Sequence, residues 1–218
     1  GGFLDDACHR LYGPKASPLV ARLYRLTGKT RLGSPSFARC ERTFIWLPAY
    51  HYHHPTIYSR SLGHGGVVWR KDRDRQQEEL SRRLAAVYRE TARLNRKAAG
   101  LARRAARLCA DPHAAADLVW MAGCLDAARR CANLLAPFVE LFRKAHRAAT
   151  SGRNQPRLLA AVAAFSRRAA AFDRAEKRRL PRGVLPDEIE LVARPKTGAR
   201  LERILVPMRQ TLSTGQWP

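Results

Sequence analysis

Apolar residues follow a seven-residue repeat through the middle of the chain, and this repeat is the strongest structural pattern in the sequence. Its members alternate spacings of four and three residues: Leu80, Leu84, Val87, Thr91, Leu94, Ala98, Leu101, Ala105 and Leu108. That alternation places all of them on one side of an α-helix, where they can pack against other helices. The pattern therefore predicts one long helix over residues 74–109 with a buried seam.

Two further helices are predicted directly after this one. Asp111 and Pro112 are typical of a helix start, with aspartate as the N-cap and proline in the first turn. The helix that begins there is predicted to run to about Thr150 with a kink at Pro137, and the next covers residues 156–180. Because short connections favour antiparallel neighbours, the three helices are predicted to form an up-down bundle.

The two ends of the chain differ from the middle. Two short helices are predicted near the N-terminus, from Phe3 to Leu11 and from Ser17 to Leu26. Residues 34–70 combine aromatic and β-branched residues with glycines and prolines, which favours a loop with one or two short strands. A last helix is predicted from Ala199 to Leu212, with an interruption at Pro207.

These elements together predict a mainly α fold. An antiparallel three-helix bundle with a long heptad helix follows a helical and irregular N-terminal region that includes short strands. The predicted division is an aromatic-rich N-terminal region over residues 1–72, an arginine-rich helical bundle over 73–180 and a Pro-rich extended tail with a short helix over 181–218.

Arginines in the long helix follow a seven-residue repeat of their own, on the side opposite the apolar seam. Nine lysines or arginines lie between Leu80 and Leu108, with Glu90 as the single acid. A solvated helix gains stability from opposite charges four residues apart, so this scarcity of acids favours a polyanion outside the helix. The candidate phosphate-binding residues are Arg70, Lys71, Arg82, Arg83, Arg89, Arg93, Arg96, Lys97, Arg103, Arg104 and Arg107.

The overall charge supports the same interpretation. The chain has 41 lysines and arginines against 18 acids, and its net charge is +23. Bound phosphates would relieve the self-repulsion of such a chain, with an affinity that falls as salt rises. A GC-rich genome would enrich arginine and alanine together, but it does not explain the scarcity of acids.

The cysteines and the hydropathy indicate a compartment. Five cysteines without a Cys-x-x-Cys pair argue against both a disulfide scaffold and a structural zinc finger. A reducing compartment, the cytoplasm or an organellar matrix, is therefore predicted. No apolar run approaches the ~18 residues of a membrane span, so no membrane partner is predicted. The Gly-Gly start fits processing, truncation or a tag.

Aromatic rings and cations interleave between residues 39 and 71. Single-stranded nucleic acid is held by such rings beside a basic groove. The base-stacking candidates are Trp46, Tyr50, Tyr52 and Trp69. The alternative is that these rings pack against the helical bundle.

Three histidines of the same segment, His51, His53 and His54, raise two other possibilities. Histidines on one side of a strand can bind zinc, but no cysteine or acid completes a tetrahedral set, so no metal site and no cofactor are predicted. Imidazole titrates near neutrality, which would suit a nuclease. Because no nucleophile or partner base is identifiable, the chain is predicted to be a binding protein and not an enzyme.

One short stretch resembles part of a known class of enzyme. Phe3-Leu-Asp-Asp-Ala through Leu11-Tyr-Gly-Pro is similar to the helix that follows the catalytic barrel in some large bacterial glycoside hydrolases. The resemblance covers about twelve residues and includes none of the catalytic carboxylates. It implies a helical accessory region of a longer enzyme, whereas the strong positive charge argues against an exported carbohydrate domain.

The sequence as a whole predicts a nucleic-acid-binding helical subunit of a ribonucleoprotein or a protein–DNA assembly. Its arginines would contact the sugar-phosphate backbone with little sequence specificity, with RNA favoured over DNA, and other subunits of the complex would be its protein partners. The alternative is a non-catalytic helical protein-interaction module whose seam seeks another helix. Strandedness and the ability to fold alone are left open.

Overall fold

The computed structural model describes residues 2–27, 71–151, 155–179 and 197–214, and these residues form a mainly helical structure. In chain order, the helices are α1 (Phe3–Thr27), α2 (Lys71–Leu108), α3 (Pro112–Ser151), α4 (Gln155–Arg179) and α5 (Thr197–Thr214). The described part of the chain contains no strand. The mainly α fold class is therefore confirmed, while the strands predicted in residues 34–70 lie outside the described residues.

Helix α1 is two helices joined by a sharp reversal at Gly13. The backbone there has φ 77° and ψ 170°, a conformation that is essentially restricted to glycine. A straight helix would separate Asp5 from Arg25 by about 30 Å, yet their side chains form an ion pair at 2.6 Å. The hydroxyls of Tyr12 and Tyr24 also approach to 3.5 Å. The two halves of α1 therefore fold back toward each other.

The second half of α1 begins earlier than the sequence predicts. Ser17 and Pro18 were expected to start it, but helix follows immediately after Gly13, from Pro14 onward. Proline 18 has no N–H to donate to the carbonyl of Pro14 four residues earlier. The Ser17 hydroxyl donates to that carbonyl instead, at 3.4 Å. The Ser17 hydroxyl thus replaces the backbone hydrogen bond that Pro18 cannot donate.

The short link between α2 and α3 follows the predicted pattern. Asp111 accepts a hydrogen bond from the His113 backbone N–H at 2.9 Å, and Pro112 is the first residue of α3. This satisfies one of the N–H groups that have no partner within the helix at its start. The predicted N-cap is confirmed. Helix α3 continues through Pro137.

The chain divides into two compact units, and α2 and α3 each contribute to both of them. The first unit combines α1 with α2 from Val87 and with α3 up to Asn133. Its core contains Val20 and Leu23 of α1, Leu101 of α2 and Leu118 of α3, each 3% exposed or less. The predicted division at residues 72/73 and 180/181 stays a prediction, because much of the two outer regions lies outside the described residues.

The second unit includes the start of α2, the end of α3, and helices α4 and α5. Phe138 of α3 packs on Phe165 of α4, with ring centroids 5.7 Å apart. Helix α5 is held against α4 at its first turn. There the Asp173 carboxylate accepts hydrogen bonds from the backbone N–H groups of Gly198 (2.7 Å) and Ala199 (2.8 Å). A side chain from one helix therefore caps the next.

Helix α5 continues through Pro207, contrary to the predicted interruption. Four apolar side chains at spacings of four and three are fully buried along it: Leu201, Leu205, Met208 and Leu212. Burial of each contributes roughly 1.5–3 kcal/mol, whereas a proline within a helix costs about 3 kcal/mol. The buried stripe therefore outweighs the proline.

Candidate nucleic-acid interface

Within the first unit, α2 presents a row of exposed cations that we call the arginine face. Its members are Arg89, Arg93, Arg96, Lys97, Arg103, Arg104 and Arg107. All seven are exposed, and Glu90 is the single acid between the first and the last of them. At 1.5 Å per residue the row is about 27 Å long. Arg82 is also exposed and lies seven residues before Arg89, in the part of α2 that belongs to the second unit.

The cations are exposed because the other side of α2 is buried, and the buried surface is broader than the predicted seam. The seam residues Thr91, Leu94, Ala98, Leu101 and Ala105 are buried as predicted. The neighbouring positions are buried as well: Ala85, Tyr88, Ala92, Asn95, Ala99 and Ala102. The four alanines among these positions let neighbouring backbones approach closely. The remaining arc of the helix is left to the cations.

The predicted burial of Leu108 is wrong. This side chain is 46% exposed. Leu108 is the last residue of α2, directly before the link to α3. A heptad pattern predicts which side of a helix is buried, but it does not show at which residue the packing against other helices stops. Val87 is half-buried, and the side chains of Leu80 and Leu84 lie outside the described residues.

One ion pair lies on the arginine face itself. Arg93 donates to Glu90, three residues earlier, through Nε at 2.7 Å and Nη2 at 2.5 Å. The hydrogen bond from Arg93 lowers the pKa of Glu90 below its ordinary value. Both side chains are about half exposed, so solvent screens the pair and its contribution to stability is small.

A second ion pair joins α2 to α3 at the edge of the arginine face. Arg103 of α2 donates through Nη2 to Asp126 Oδ2 of α3, and Arg129 donates through Nε to Asp126 Oδ1 at 3.0 Å. Burial raises the pKa of Asp126, but the hydrogen bonds and charges of Arg103 and Arg129 outweigh it and lower that pKa below its ordinary value. Asp126 is therefore ionised and bound by two cations.

Three further members of the face have no such partner among the described residues. Among the described residues, no carboxylate forms an ion pair with Arg96, Arg104 or Arg107. No described group accepts a hydrogen bond from their guanidinium groups, each of which has five N–H donors for solvent or for a ligand. A row of exposed, uncompensated guanidinium groups is suited to phosphate oxygens, which accept bidentate hydrogen bonds.

Some predicted site residues lie where the structure says nothing of their side chains. Lys71 and Arg83 belong to α2, but their side chains are outside the described part of the chain. Arg70 and the base-stacking candidates Trp46, Tyr50, Tyr52 and Trp69 lie outside the described residues altogether, as do His51, His53 and His54. These predictions stay predictions.

Sequence reasoning missed the ion pair between Asp126 and Arg129 and its approach to Arg103. A local signal for their mutual pair exists, because an aspartate followed by arginine three residues later brings the two side chains together on a helix. Their approach to Arg103 has no such signal. Arg103 and Asp126 are 23 residues apart, and only the packing of α2 on α3 brings them together.

Other chemistry is limited within the described ranges. No group of three or more histidines, cysteines or acids is arranged to hold a metal ion in residues 2–27, 71–151, 155–179 or 197–214. In the same ranges no helix is both long and apolar enough to span a membrane. Comparison of the chain with protein-family models, with curated proteins and with solved structures found no match.

Proposed function

We propose that this chain is a nucleic-acid-binding helical subunit of a ribonucleoprotein or protein–DNA assembly. The observation that carries the proposal is the arginine face, seven exposed cations along about five turns of α2 with one acid among them. A helix that needed only solubility would alternate charges, since opposite charges three or four residues apart stabilise it. The face gives up most of that stabilisation, because Glu90 with Arg93 is the single such pair between its first and last members.

The proposed mechanism of binding is electrostatic and insensitive to sequence. Guanidinium groups bind phosphate oxygens, and each phosphate that is neutralised releases condensed counterions. Such contacts fix the position of a nucleic acid and do not read its bases. The aromatic residues Trp46, Tyr50, Tyr52 and Trp69 are proposed to add base stacking, which favours single-stranded RNA as the ligand.

The proposal includes an arrangement for the long helices and a setting for the chain. We infer that α2, α3 and α4 run antiparallel to their neighbours in the chain, because the connections at residues 109–111 and 152–154 are short. A reducing compartment, with other protein subunits of the same assembly as partners, fits a chain whose described cysteines form no disulfide bond.

A charge-reversal variant tests the proposed face. Replacing Arg96, Lys97, Arg104 and Arg107 with glutamate removes four exposed cations that form no ion pair with any described residue. RNA affinity, measured by fluorescence anisotropy, is expected to fall for every sequence tested. The slope of log affinity against log salt is expected to shrink by roughly 3, at about 0.7 per lost phosphate contact.

A matched control separates the face from overall charge. Replacing Arg167, Arg174, Lys177 and Arg178 with glutamate changes the net charge by the same amount on exposed positions of α4. This control is expected to retain most of the affinity and of the salt slope. Equal losses in both variants would contradict a specific face. Protein purified from its host without co-purified nucleic acid, and unable to bind RNA at low salt, would contradict the proposal as a whole.

One observation favours the alternative, a helical protein-interaction module. Val119 and Trp120 are adjacent in α3 and remain 59% and 51% exposed, which is unusual for large apolar side chains. If Val119 and Trp120 form an interaction surface, the chain is expected to self-associate or to bind an apolar partner, and this binding is expected to change little with salt. Light scattering of the Trp120→Ser variant tests this, since a smaller assembly mass than the wild type would favour the alternative.

A further inference from the structure

Asp126 lies between two arginines and uses a different oxygen for each. Its Oδ2 accepts from Arg103 Nη2, and its Oδ1 accepts from Arg129 Nε at 3.0 Å. The carboxylate is only 15% exposed, whereas the side chains of Arg103 and Arg129 are 54% and 32% exposed. The acid is therefore at the base of the group, and the two guanidinium groups reach solvent.

The packing of α3 on α2 holds this trio in place. Leu125, directly before Asp126, packs against the core cluster that contains Ala98, Leu101 and Ala102 of α2. Asp126 consequently emerges from α3 beside the turn of α2 that carries Arg103. The position of the carboxylate is set by the core of the first unit, because it follows from how these two helices pack.

Most hydrogen-bond donors of the trio remain available. A guanidinium group has five N–H donors, and the bonds to Asp126 use one donor from each arginine. The group as a whole carries one net positive charge, because one carboxylate faces two guanidinium groups. It combines an excess of positive charge with donors that are already held in place.

We propose that Arg103, Asp126 and Arg129 form a preorganised binding site for the phosphate oxygens of a phosphodiester backbone. The arginines bind the phosphate, and Asp126 is a positioning residue that holds their long side chains in one conformation. Binding then costs less side-chain entropy than it does at a free surface arginine. This inference rests on the proposed function, and it adds Arg129 and Asp126 to the arginine face.

The proposal predicts a result opposite in sign to simple charge counting. Asp126→Asn removes a negative charge beside the ligand, so general electrostatics would strengthen the binding of RNA. If Asp126 positions the arginines, the same variant weakens binding, because an NH2 donor replaces one of the two acceptor oxygens and the negative charge that orders both guanidinium groups is lost. Net charge alone cannot explain a variant that is more positive than the wild type and binds RNA more weakly.

Glu90→Gln is the matched control. It makes the same change in charge on the same unit, but among the described residues Glu90 bonds only to Arg93, within one turn of α2, and both side chains are about half exposed. This variant is expected to bind RNA as tightly as the wild type or more tightly, under either explanation. Its effect calibrates what one unit of charge contributes.

The experiment measures anisotropy of a fluorescein-labelled, mixed-sequence single-stranded RNA with the full chain at one fixed moderate salt concentration. Asp126→Asn is expected to weaken binding about fivefold, the order expected from losing the prior ordering of one long side chain. Arg129→Lys keeps the charge and loses the planar fork, and it is expected to weaken binding by about the same factor. Circular dichroism confirms that each variant is folded.

Each outcome has one meaning. Asp126→Asn that binds as tightly as Glu90→Gln overturns the phosphate site and leaves the proposed function standing. Should Asp126→Asn fail to fold, Arg129→Lys decides, and wild-type affinity in that variant overturns the site. A wild-type chain that does not bind RNA at low salt overturns the proposed function and this inference together.

Discussion

At the scale of single residues, the conformation of Gly13 determines the path of the N-terminal helix. Its φ of 77° and ψ of 170° allow the chain to reverse, and the ion pair between Asp5 and Arg25 joins the two halves. A side chain at this position would meet no neighbouring atom within 4 Å. Any cost of substitution therefore comes from the backbone conformation.

This gives a prediction in which two glycine substitutions have opposite signs. Gly13→Ala is expected to destabilise the protein by about 1–3 kcal/mol, because alanine rarely adopts this conformation. Gly123→Ala, at an exposed helical position with open space around it, is expected to stabilise by about 0.5–1 kcal/mol. Urea unfolding monitored by circular dichroism measures both free energies. Two changes of the same sign would contradict the argument.

The ionisation of Asp126 gives stability a pH dependence. Its pKa lies below the ordinary value of 3.8, so the folded state binds this proton less readily than the unfolded state does. The stabilising contribution is present above the unfolded pKa and is lost as pH falls through the folded pKa.

Asp126→Asn is therefore expected to be less stable than the wild type at pH 7, by about 1 kcal/mol. The difference is expected to shrink as the pH falls below about 4, where the wild type also loses the charge. Denaturant unfolding at several pH values tests the sign. A difference that stays constant from neutral to acid pH would show that the charge of Asp126 is not its cause.

At the scale of helices, the periodicity of the sequence predicts features within one helix but not the contacts between helices. The starts of α3 and α4 and the burial of Leu94, Leu101 and Leu118 follow from patterns within one helix, and the structure confirms them. The break near Gly13 also follows from the prediction of two separate N-terminal helices. The return of those two helices toward each other and the trio around Asp126 depend on how separate helices pack. Such contacts join residues that are distant in sequence, so a pattern within one helix carries no signal for them.

The junction of α4 and α5 is the closest approach between helices that the structure records at a glycine. A Cβ on Gly198 would lie 2.1 Å from the carbonyl oxygen of Ala169, which is a backbone atom and cannot move aside as a flexible side chain would. Asp173 caps α5 at the same point. Small size and a backbone donor are both required here.

Gly198→Ala is accordingly expected to destabilise the protein by about 1–3 kcal/mol through overpacking. Asp173→Ala is expected to cost about 1 kcal/mol through loss of the cap. Thermal unfolding followed at a helical wavelength measures both changes. Wild-type stability in Gly198→Ala would mean that α5 does not approach α4 as closely as described.

At the scale of the whole molecule, the excess of 41 basic over 18 acidic residues determines how stability and binding respond to salt. Like charges repel one another in the compact state, and dissolved salt screens that repulsion. The same salt competes with the protein for a polyanion, because condensed counterions are released on binding. Folding and binding should therefore respond to salt in opposite directions.

The corresponding prediction concerns sodium chloride between low and moderate concentration. The unfolding temperature of the free protein is expected to rise by a few degrees, on the order of 1 kcal/mol in stability. RNA affinity is expected to fall over the same range by roughly 10-fold or more. Parallel calorimetric and anisotropy titrations compare the two. A melting temperature that falls with salt would mean that attractive ion pairs outweigh the repulsion.

The two compact units are interleaved along the chain, since α2 passes from the second into the first at residues 86/87 and α3 returns at 133/134. Neither unit is therefore encoded by one uninterrupted stretch of the gene. A fragment that stops at Asn133 keeps every segment of the first unit but discards the part of the second unit from Leu134 onward, to which residues 71–86 also belong. Excising the first unit cleanly would require splicing Gly33 to Val87, so simple terminal trimming is the wrong way to isolate either half.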